Sequence, residues 1–278
     1  MSKRQGVMLC YPWDEKRLAK WPKPWIVQPK YKGIRCKTYV LGQGSVRMVS
    51  SEGNVIESVP DIKKAIENAH LSPGTILDGE LYIHGVPQGV INSIVLRSKA
   101  LHPEHISVTY EVFDCPSLIG TQQMRIPRVL NEVERINNRN IIPVPSHYVR
   151  TVEEVKDLLL RFKSQRYEGI VAKSINCFYE EKRSIHWMKW KPGEVDTYAI
   201  IGSREEISIH GEPKNTLGSL ICITKGEEEF SVGSGLTRQQ RQLLWERRDL
   251  LYGMVVTVGY AELTARGVPE HPVIISIN

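Results

Sequence analysis

The sequence predicts an α+β fold in two domains, and three observations lead to it. Over residues 1–192, short β-rich runs alternate with a few amphipathic helices. From residue 193 onward, short strands follow one another with one helix among them, which suits a small Greek-key barrel such as an OB-fold. Pro192-Gly193 stands between the two patterns and is typical of a hinge. We therefore expect a first domain over residues 1–192 and a β-barrel domain over residues 193–278.

The strands of the first domain are short, and clear turn and cap signals separate its elements. Residues 25–40 predict two strands around a tight turn at Gly33. Further strands are predicted over residues 45–50, 76–83 and 107–114. Pro60 opens an amphipathic helix, and Thr151 with Glu154 forms a capping box before a second one. In the second domain, Thr237 and Gln240 cap the single helix in the same way.

Composition and charge narrow the class of protein. Of the 278 residues 41% are hydrophobic and 24% are charged, which is ordinary for a soluble protein. The net charge of +6 fits a polyanionic partner. The five scattered cysteines show no CxxC pair, so a zinc finger or a disulfide framework is not expected and a reducing compartment is. With no apolar run long enough to span a bilayer, we expect a cytoplasmic monomer with no membrane partner.

A lysine before a glycine turn is the first candidate for chemistry. Lys30-Tyr31-Lys32-Gly33-Ile34-Arg35 fits a surface hairpin with solvated basic residues, and it also fits a nucleophilic Lys30 held at a strand end. A lysine amine attacks only after losing its proton, so a catalytic lysine needs nearby cations or burial.

Four further clusters follow in order along the chain. They are Leu77-Asp78-Gly79-Glu80-Leu81-Tyr82, Tyr110-Glu111-Val112-Phe113-Asp114, Glu168-Gly169-Ile170-Val171-Ala172-Lys173 and Trp187-Met188-Lys189-Trp190-Lys191-Pro192. The last cluster puts Lys189 and Lys191 on one strand face, because residues two apart on a strand point the same way. Asp78 and Asp114 also fit structural acids at strand ends, and the two tryptophans fit core packing.

The ordered set KxxGxR, LDGELY, YxxFD, EGIVAK and WxKxKP resembles the motifs of covalent nucleotidyltransferases, most closely the small viral or phage-type ATP-dependent DNA ligases. Residues 231–245 and 256–272 are similar to the OB-fold segment of these ligases. The resemblance implies an adenylation (nucleotidyltransferase) domain of antiparallel sheets with flanking helices, followed by an OB-fold β-barrel. It also implies nick sealing through a covalent lysyl-AMP and an adenylated 5′ end.

The resemblance implies the following residue roles. Lys30 would attack ATP and carry AMP, with Arg35 on the nucleotide or the nick 5′-phosphate and with Lys189 and Lys191 clamping the α-phosphate. Tyr110 would stack on adenine, while Gln28 and Pro29 would lie against the nucleotide. Arg183 and Lys173 would face DNA phosphate, although Lys173 also fits a strand cap.

A divalent metal belongs to the same expectation. Glu80 and Glu168 would hold Mg²⁺, for which Mn²⁺ can substitute, and Glu80 also fits a contact to the ribose. Phosphoryl transfer is mainly positioning and charge neutralisation, so two lysines and a carboxylate-held cation suit it.

Three departures from the family pattern stand out. Lys32 occupies a position where Asp or Asn is usual, and Ser51 occupies a position where Arg is usual. The final Arg-x-Asp-Lys motif is absent from the region that reads His271 to Asn278. Only 29 residues precede Lys30, so we expect ATP rather than NAD as the adenylate donor and DNA held by the two domains alone.

Three interpretations therefore remain open at this level. The chain is a DNA ligase for nicked duplex DNA, an RNA ligase or capping guanylyltransferase of the same superfamily, or a catalytically impaired nucleic-acid-binding relative. The nucleotide that labels the protein separates them.

Overall fold

The computed structural model describes residues 6–260, 263–264 and 266–278. Ala261, Glu262 and Ala265, which belong to the ligase-like segment 256–272, lie outside the described residues. The chain divides into two compact units, Met1–Trp190 and Lys191–Asn278.

The strands run in chain order over β1 (Leu9–Pro12), β2 (Trp25–Lys30), β3 (Ile34–Val40), β4 (Val46–Ser50), β5 (Ile76–Tyr82), β6 (Thr109–Asp114), β7 (Ile141–Pro143), β8 (His147–Val149), β9 (Gly169–Ser174), β10 (Arg183–Trp190), β11 (Glu194–Ile207), β12 (Pro213–Ile223), β13 (Glu229–Val232), β14 (Val255–Tyr260) and β15 (Val273–Ile277). The α-helices are α1 (Glu15–Leu18), α2 (Pro60–Asn68), α3 (Gln88–Val95), α4 (Gln122–Ile136), α5 (Val152–Ser164) and α6 (Arg238–Glu246).

The first unit contains two five-stranded sheets. The first sheet has the order β1-β10-β9-β2-β8 and the second has the order β4-β3-β5-β6-β7. Their pairs are antiparallel except β1 with β10 and β6 with β7, which are parallel. The α+β prediction with antiparallel sheets is thus confirmed, and α2, α4 and α5 pack on these sheets.

The step from β2 to β3 takes the chain from one sheet to the other. Residues 31–33 make this step, and Ile34 then pairs with Leu81 on β5. A methyl group on Gly33 would lie 2.2 Å from the main-chain oxygen of Leu81. The turn therefore needs glycine because of this close approach between the two strands.

A buried ion pair links α4 to the second sheet. Arg125 on α4 donates to Asp114 at the end of β6 at 2.7 Å, and both side chains are 0% exposed. Arg125 also donates to the main-chain oxygens of Gly120 and Cys177.

Val129, Val133 and Ile136 of α4 pack in the core of the first unit. Pro127 inside the helix cannot donate a main-chain hydrogen bond and is typical of a helix break, so the sequence pattern hides α4.

The second unit is a five-stranded antiparallel sheet with the order β13-β12-β11-β14-β15. The capping box of Thr237 and Gln240 begins α6 as predicted. Over the described residues the strands do not form a closed barrel. A single bridge from Ser234 to Val273 links the two edges of the sheet. The OB-like arrangement is present, but the expectation of a closed barrel is corrected to an open sheet.

No helix among the described residues is long and apolar enough to cross a lipid bilayer.

We predict that Gly33→Ala lowers the free energy of unfolding by about 3 kcal/mol, because the added methyl group meets main-chain atoms that cannot move aside. Urea unfolding followed by circular dichroism measures it. Gly89→Ala on α3 is the matched control: its methyl group meets open space, so stability stays equal or rises by up to about 1 kcal/mol. Equal stability of the two variants would contradict the close approach at Gly33.

Candidate active site

The site lies at the corner where β2 passes into β3. Gln28 and Lys30 share one face of β2, because side chains two apart on a strand point the same way. On the second sheet, Arg35, Glu80 and Glu111 are direct cross-strand partners and share one face. The ordered motifs thus bring a lysine, an arginine and two carboxylates to one region of the first unit.

Lys30 and Glu168 form the central pair. The Lys30 amine donates to Glu168 Oε2 in a short contact, and the main-chain N–H of Glu168 donates to the Lys30 oxygen at 3.1 Å. The two side chains remain 23% and 16% exposed, so a ligand can reach both. The structure thus places Glu168 directly against the amine of Lys30, a contact that the sequence analysis did not predict.

Glu80 faces the same corner from the second sheet. Its Oε1 accepts the main-chain N–H of Gly33 at 3.1 Å, which ties the acid to the turn after Lys30. Burial raises the pKa of Glu80 to about 7, although Lys30 and Arg35 pull it down. A cation at this carboxylate would favour its charged form, so Glu80 suits a metal or a ribose contact.

Asp78 holds Arg35 in place. The guanidinium donates to both Asp78 oxygens, at 2.9 and 2.6 Å, and to the main-chain oxygen of Met8 at 2.8 Å. Tyr179 donates to the same carboxylate at 2.6 Å. Asp78 is thus the structural acid that the sequence allowed, and its two hydrogen bonds fix the orientation of the Arg35 guanidinium.

Tyr110 does not reach the site, which corrects the expectation that it stacks on adenine. Its ring is 0% exposed, and its hydroxyl donates to the main-chain oxygens of Cys36 and Leu77. Phe113, three residues later on β6, faces the site instead: its ring lies 5.0 Å from the Arg35 guanidinium and 5.0 Å from the Lys173 amine. Sequence reasoning missed Phe113, although the alternation along YxxFD carried the signal.

Lys173 is buried, which corrects its expected contact with DNA. Its side chain is 1% exposed, with the amine 4.0 Å from the centre of the Trp187 ring and donating to the Phe113 oxygen at 3.2 Å. Burial lowers the pKa of Lys173 from its usual 10.5 to about 8. It is an internal cation of the site wall.

Arg183 is accessible, and its expected contact with DNA phosphate stays a prediction. It is exposed at the start of β10, and it also donates to the main-chain oxygen of Cys10 at 2.5 Å.

The remaining predicted residues divide by strand position. Lys189 lies in β10, partly buried, opposite Val171 of β9. The strand ends at Trp190, so Lys191 lies beyond it as the first, exposed residue of the second unit, which corrects the prediction that both lysines share one strand face. Gln28 is 3% exposed and donates to Ser146 at 2.9 Å, while the Pro29 ring points to the opposite face from Lys30.

Two of the positions that depart from the family pattern lie in turns. Lys32 is exposed on the turn after Lys30, and Ser51 is half-buried in the turn that follows β4. Lys32 therefore adds an accessible positive charge two residues from Lys30.

The carboxylates near Lys30 suit only one kind of metal site. In the part of the chain that the structure describes, no group of three or more His, Cys, Asp or Glu is placed to hold a metal ion. Mg²⁺ requires only one or two carboxylates when phosphate oxygens and water complete its octahedron. Glu80 and Glu168 both face Lys30 and are enough for such a Mg²⁺ site. They would not suffice for a metal ion that needs three or more protein ligands.

Known proteins match both units of this chain. Residues 7–191 match the family profile of the ATP dependent DNA ligase domain, and residues 210–277 match that of the DNA ligase OB-like domain. The DNA ligase of African swine fever virus (isolate Tick/South Africa/Pretoriuskop Pr4/1996) is 26% identical over 267 residues, covering 88% of this chain and 61% of the relative. The chain thus spans less than two thirds of the viral relative's length.

Two further comparisons agree in kind. The DNA ligase of Haemophilus influenzae is 25% identical over 206 residues, 71% of this chain and 70% of the relative. The Chlorella virus DNA ligase–adenylate structure matches with a TM-score of 0.56 and 20% identity, covering 98% of each chain. That structural likeness shows a shared fold.

The buried Lys173 predicts a pH dependence of stability. Between about pH 8 and pH 10.5 the unfolded chain holds a proton on this amine that the folded chain has lost, so the free energy of unfolding rises with pH over that window. Below about pH 8 both states are protonated and the cost of burying the charge is fully present. At pH 7, Lys173→Met should be more stable than the wild type by up to about 3 kcal/mol.

Urea unfolding of both proteins from pH 7 to 10.5 measures this difference, which should shrink as the pH rises. Lys64→Met, at an exposed position of α2, is the control and should show no pH-dependent difference. A gap between Lys173→Met and the wild type that stays constant with pH would argue against a strongly shifted amine.

Proposed function

The chain belongs to the family of ATP-dependent DNA ligases, and from this membership we propose that it seals 3′-hydroxyl/5′-phosphate nicks in duplex DNA with ATP as the adenylate donor. The observation that carries the proposal is the accessible Lys30–Glu168 pair at the corner between the two sheets. A lysine fixed at a strand end, beside a carboxylate, suits covalent capture of a nucleotide.

In the proposed first step Lys30 acts as the nucleophile. Its Nζ forms a bond to the α-phosphorus of ATP, the bond from that phosphorus to the bridging oxygen breaks, and pyrophosphate leaves with the electron pair. Glu168 already accepts a hydrogen bond from this amine and is the nearest group to receive the proton that the amine gives up. The AMP then passes to the 5′-phosphate of the nick, and the 3′-hydroxyl displaces it to form the phosphodiester bond.

The other site residues would hold the nucleotide while this occurs. Lys189 on β10 would neutralise charge on the α-phosphate. Phe113 presents a ring beside the cationic cluster and would stack on the adenine, in the role that Tyr110 cannot fill. Gln28 lies buried on the same face of β2 as Lys30 and would form one wall of the pocket for the base.

Glu80 and Glu168 would hold Mg²⁺. When bound, the ion supplies neutralisation of the phosphate charge that develops during transfer. Glu80 is tied to Gly33, so this acid keeps its place relative to the nucleophile.

The first experiment asks which nucleotide labels the protein. We expect transfer of AMP from α-labelled ATP in the presence of Mg²⁺, with a mass increase of about one AMP on the peptide containing Lys30. Lys30→Ala should abolish the label, and Lys64→Ala, an exposed lysine of α2, should retain it. The labelled enzyme is then offered nicked DNA and nicked RNA duplexes.

The outcomes separate the proposed activity from its rivals. Preferential labelling by GTP would indicate a capping enzyme, and preference for an RNA nick would indicate an RNA ligase. If no nucleotide labels the wild type and a preadenylated nick is not sealed, the chain is a binding protein and the proposal fails.

A second prediction concerns the contact with DNA. Binding to a nicked duplex should weaken steeply with salt, because lysines and arginines that neutralise phosphates release counterions. Arg183→Ala should reduce the slope of log K against log[salt] by about one, since its guanidinium is exposed. Lys173→Met should leave the slope unchanged because that amine is buried. Fluorescence anisotropy over a salt series measures both, and equal slopes for the wild type and Arg183→Ala would remove Arg183 from the DNA contact.

A further inference from the structure

The segment between β9 and β10 supplies a tyrosine that lies in none of the ordered motifs. The ring of Tyr179 packs edge to face against Trp187 of β10, at 6.1 Å and 87°. Its hydroxyl donates to Asp78 Oδ2 at 2.6 Å and accepts the main-chain N–H of Met8 at 3.1 Å. Arg35 Nη2 is a second donor to the same hydroxyl, at 3.4 Å. One oxygen atom thus joins three segments that are far apart in the sequence.

The polar atoms of this group satisfy one another. Arg35 donates through Nε and Nη2 to both oxygens of Asp78 and through Nη1 to the main-chain oxygen of Met8 at 2.8 Å. A tyrosine hydroxyl has one hydrogen and two lone pairs, and the three contacts of Tyr179 use all of them. Without that hydroxyl, both the Met8 N–H and the Asp78 carboxylate would lose a partner inside the protein.

Only one member of the group is placed to meet a ligand. The Asp78 side chain is 0% exposed, whereas that of Arg35 is 16% exposed. Arg35 is the direct cross-strand partner of Glu80 and lies 5.0 Å from the Phe113 ring, both of which belong to the candidate site. A guanidinium binds phosphate through a planar fork of N–H groups, so its plane must be set before the phosphate arrives.

We propose that Tyr179 is a positioning residue which, through Asp78, sets the plane of the Arg35 guanidinium for contact with a phosphate. The inference rests on the proposed ligase function and adds to it a residue that touches no substrate. Without the hydroxyl, the Asp78 carboxylate is free to turn and the guanidinium turns with it. A displacement of 1 Å costs about 10²-fold in rate, so the smaller shift from the loss of one anchor should cost about tenfold.

The test is a double-mutant cycle on Tyr179→Phe and Arg35→Lys. Single-turnover rate constants are measured for formation of the lysyl-AMP from ATP, for transfer of AMP to a nick, and for sealing of a nick that already carries AMP. Arg35→Lys keeps the charge beside Asp78 and removes the planar fork, so the step that it slows most is the step that the fork serves. Tyr179→Phe should slow that same step about tenfold and leave the others within about twofold.

The double variant tests whether the two residues act as a unit. Adding Tyr179→Phe to Arg35→Lys should slow the shared step by less than about twofold further, because the hydroxyl then has no fork to orient. A merely structural role for Tyr179 would instead slow the single and the double variant by the same factor.

Tyr260→Phe is the matched control. This tyrosine of the second unit is also buried, and its hydroxyl also donates to a carboxylate, that of Asp196 at 2.5 Å. The variant removes the same kind of bond away from Arg35, so all three rate constants should stay within about twofold of the wild type. Urea unfolding of both phenylalanine variants separates a loss of stability from a loss of rate.

Specific results would overturn the inference. Wild-type rates in Tyr179→Phe would do so, as would equal slowing of all three steps or a full tenfold further loss in the double variant. If Arg35→Lys slows no step, there is no fork for Tyr179 to position and the inference fails.

Two further outcomes are kept apart. If Tyr179→Phe does not fold, Asp78→Asn takes its place: it keeps one oxygen acceptor and should slow the step that Arg35→Lys slows, and wild-type rates would contradict the inference. Failure of ATP to label the wild type at Lys30 would instead refute the proposed function.

Discussion

The first unit depends on the passage of the chain from one sheet to the other directly after Lys30. Three main-chain contacts hold this corner: Glu168 to Lys30, Gly33 to Glu80, and the close approach of Gly33 to Leu81. Because each contact involves backbone atoms, the relative places of the lysine and the two acids do not depend on flexible side chains alone. A covalent catalyst needs this arrangement, since the nucleophile must meet its target in a fixed direction.

Around the corner, charge is arranged in two layers. The outer layer is accessible and consists of Lys30, Glu168 and Lys32. The inner layer is buried, with the Arg35–Asp78 pair and Lys173 beneath the aromatic rings of Phe113 and Trp187. Buried charges cost free energy unless they are paired. The charges of the inner layer therefore lower the stability of the fold, and they supply a positive field in the space that a phosphate would enter.

Sequence patterns predicted the parts of the fold that local signals control. The capping boxes at Thr151 and Thr237 and the turn at Gly33 were all predicted and are present. The helix α4 was not predicted because Pro127 inside it is typical of a helix break, although Val129, Val133 and Ile136 give the helix an apolar face in the core.

The candidate site shows the same division between local and distant causes. Motif order identified Lys30, Glu80 and Glu168, and the structure places these three together. The role of Tyr110 was wrong because the family role was carried over to the first aromatic residue of the motif, whereas the alternation along β6 puts Tyr110 and Phe113 on opposite faces. Lys173 was misjudged for a related reason, since only the packed rings around it show that a lysine is buried there.

The ion pair between Arg125 and Asp114 has a consequence for how such sequences change over time. Removing one partner leaves a lone charge in the interior, which costs about 3–5 kcal/mol, whereas exchanging both for apolar side chains of similar volume is often tolerated. The two positions are therefore expected to change together during evolution. A sequence that has lost only one partner would fold only if the rest of the protein is stable enough to offset the loss. A distant relative that lacks the aspartate at the end of β6 should also lack the arginine on α4, and a motif search that demands the aspartate alone would overlook it.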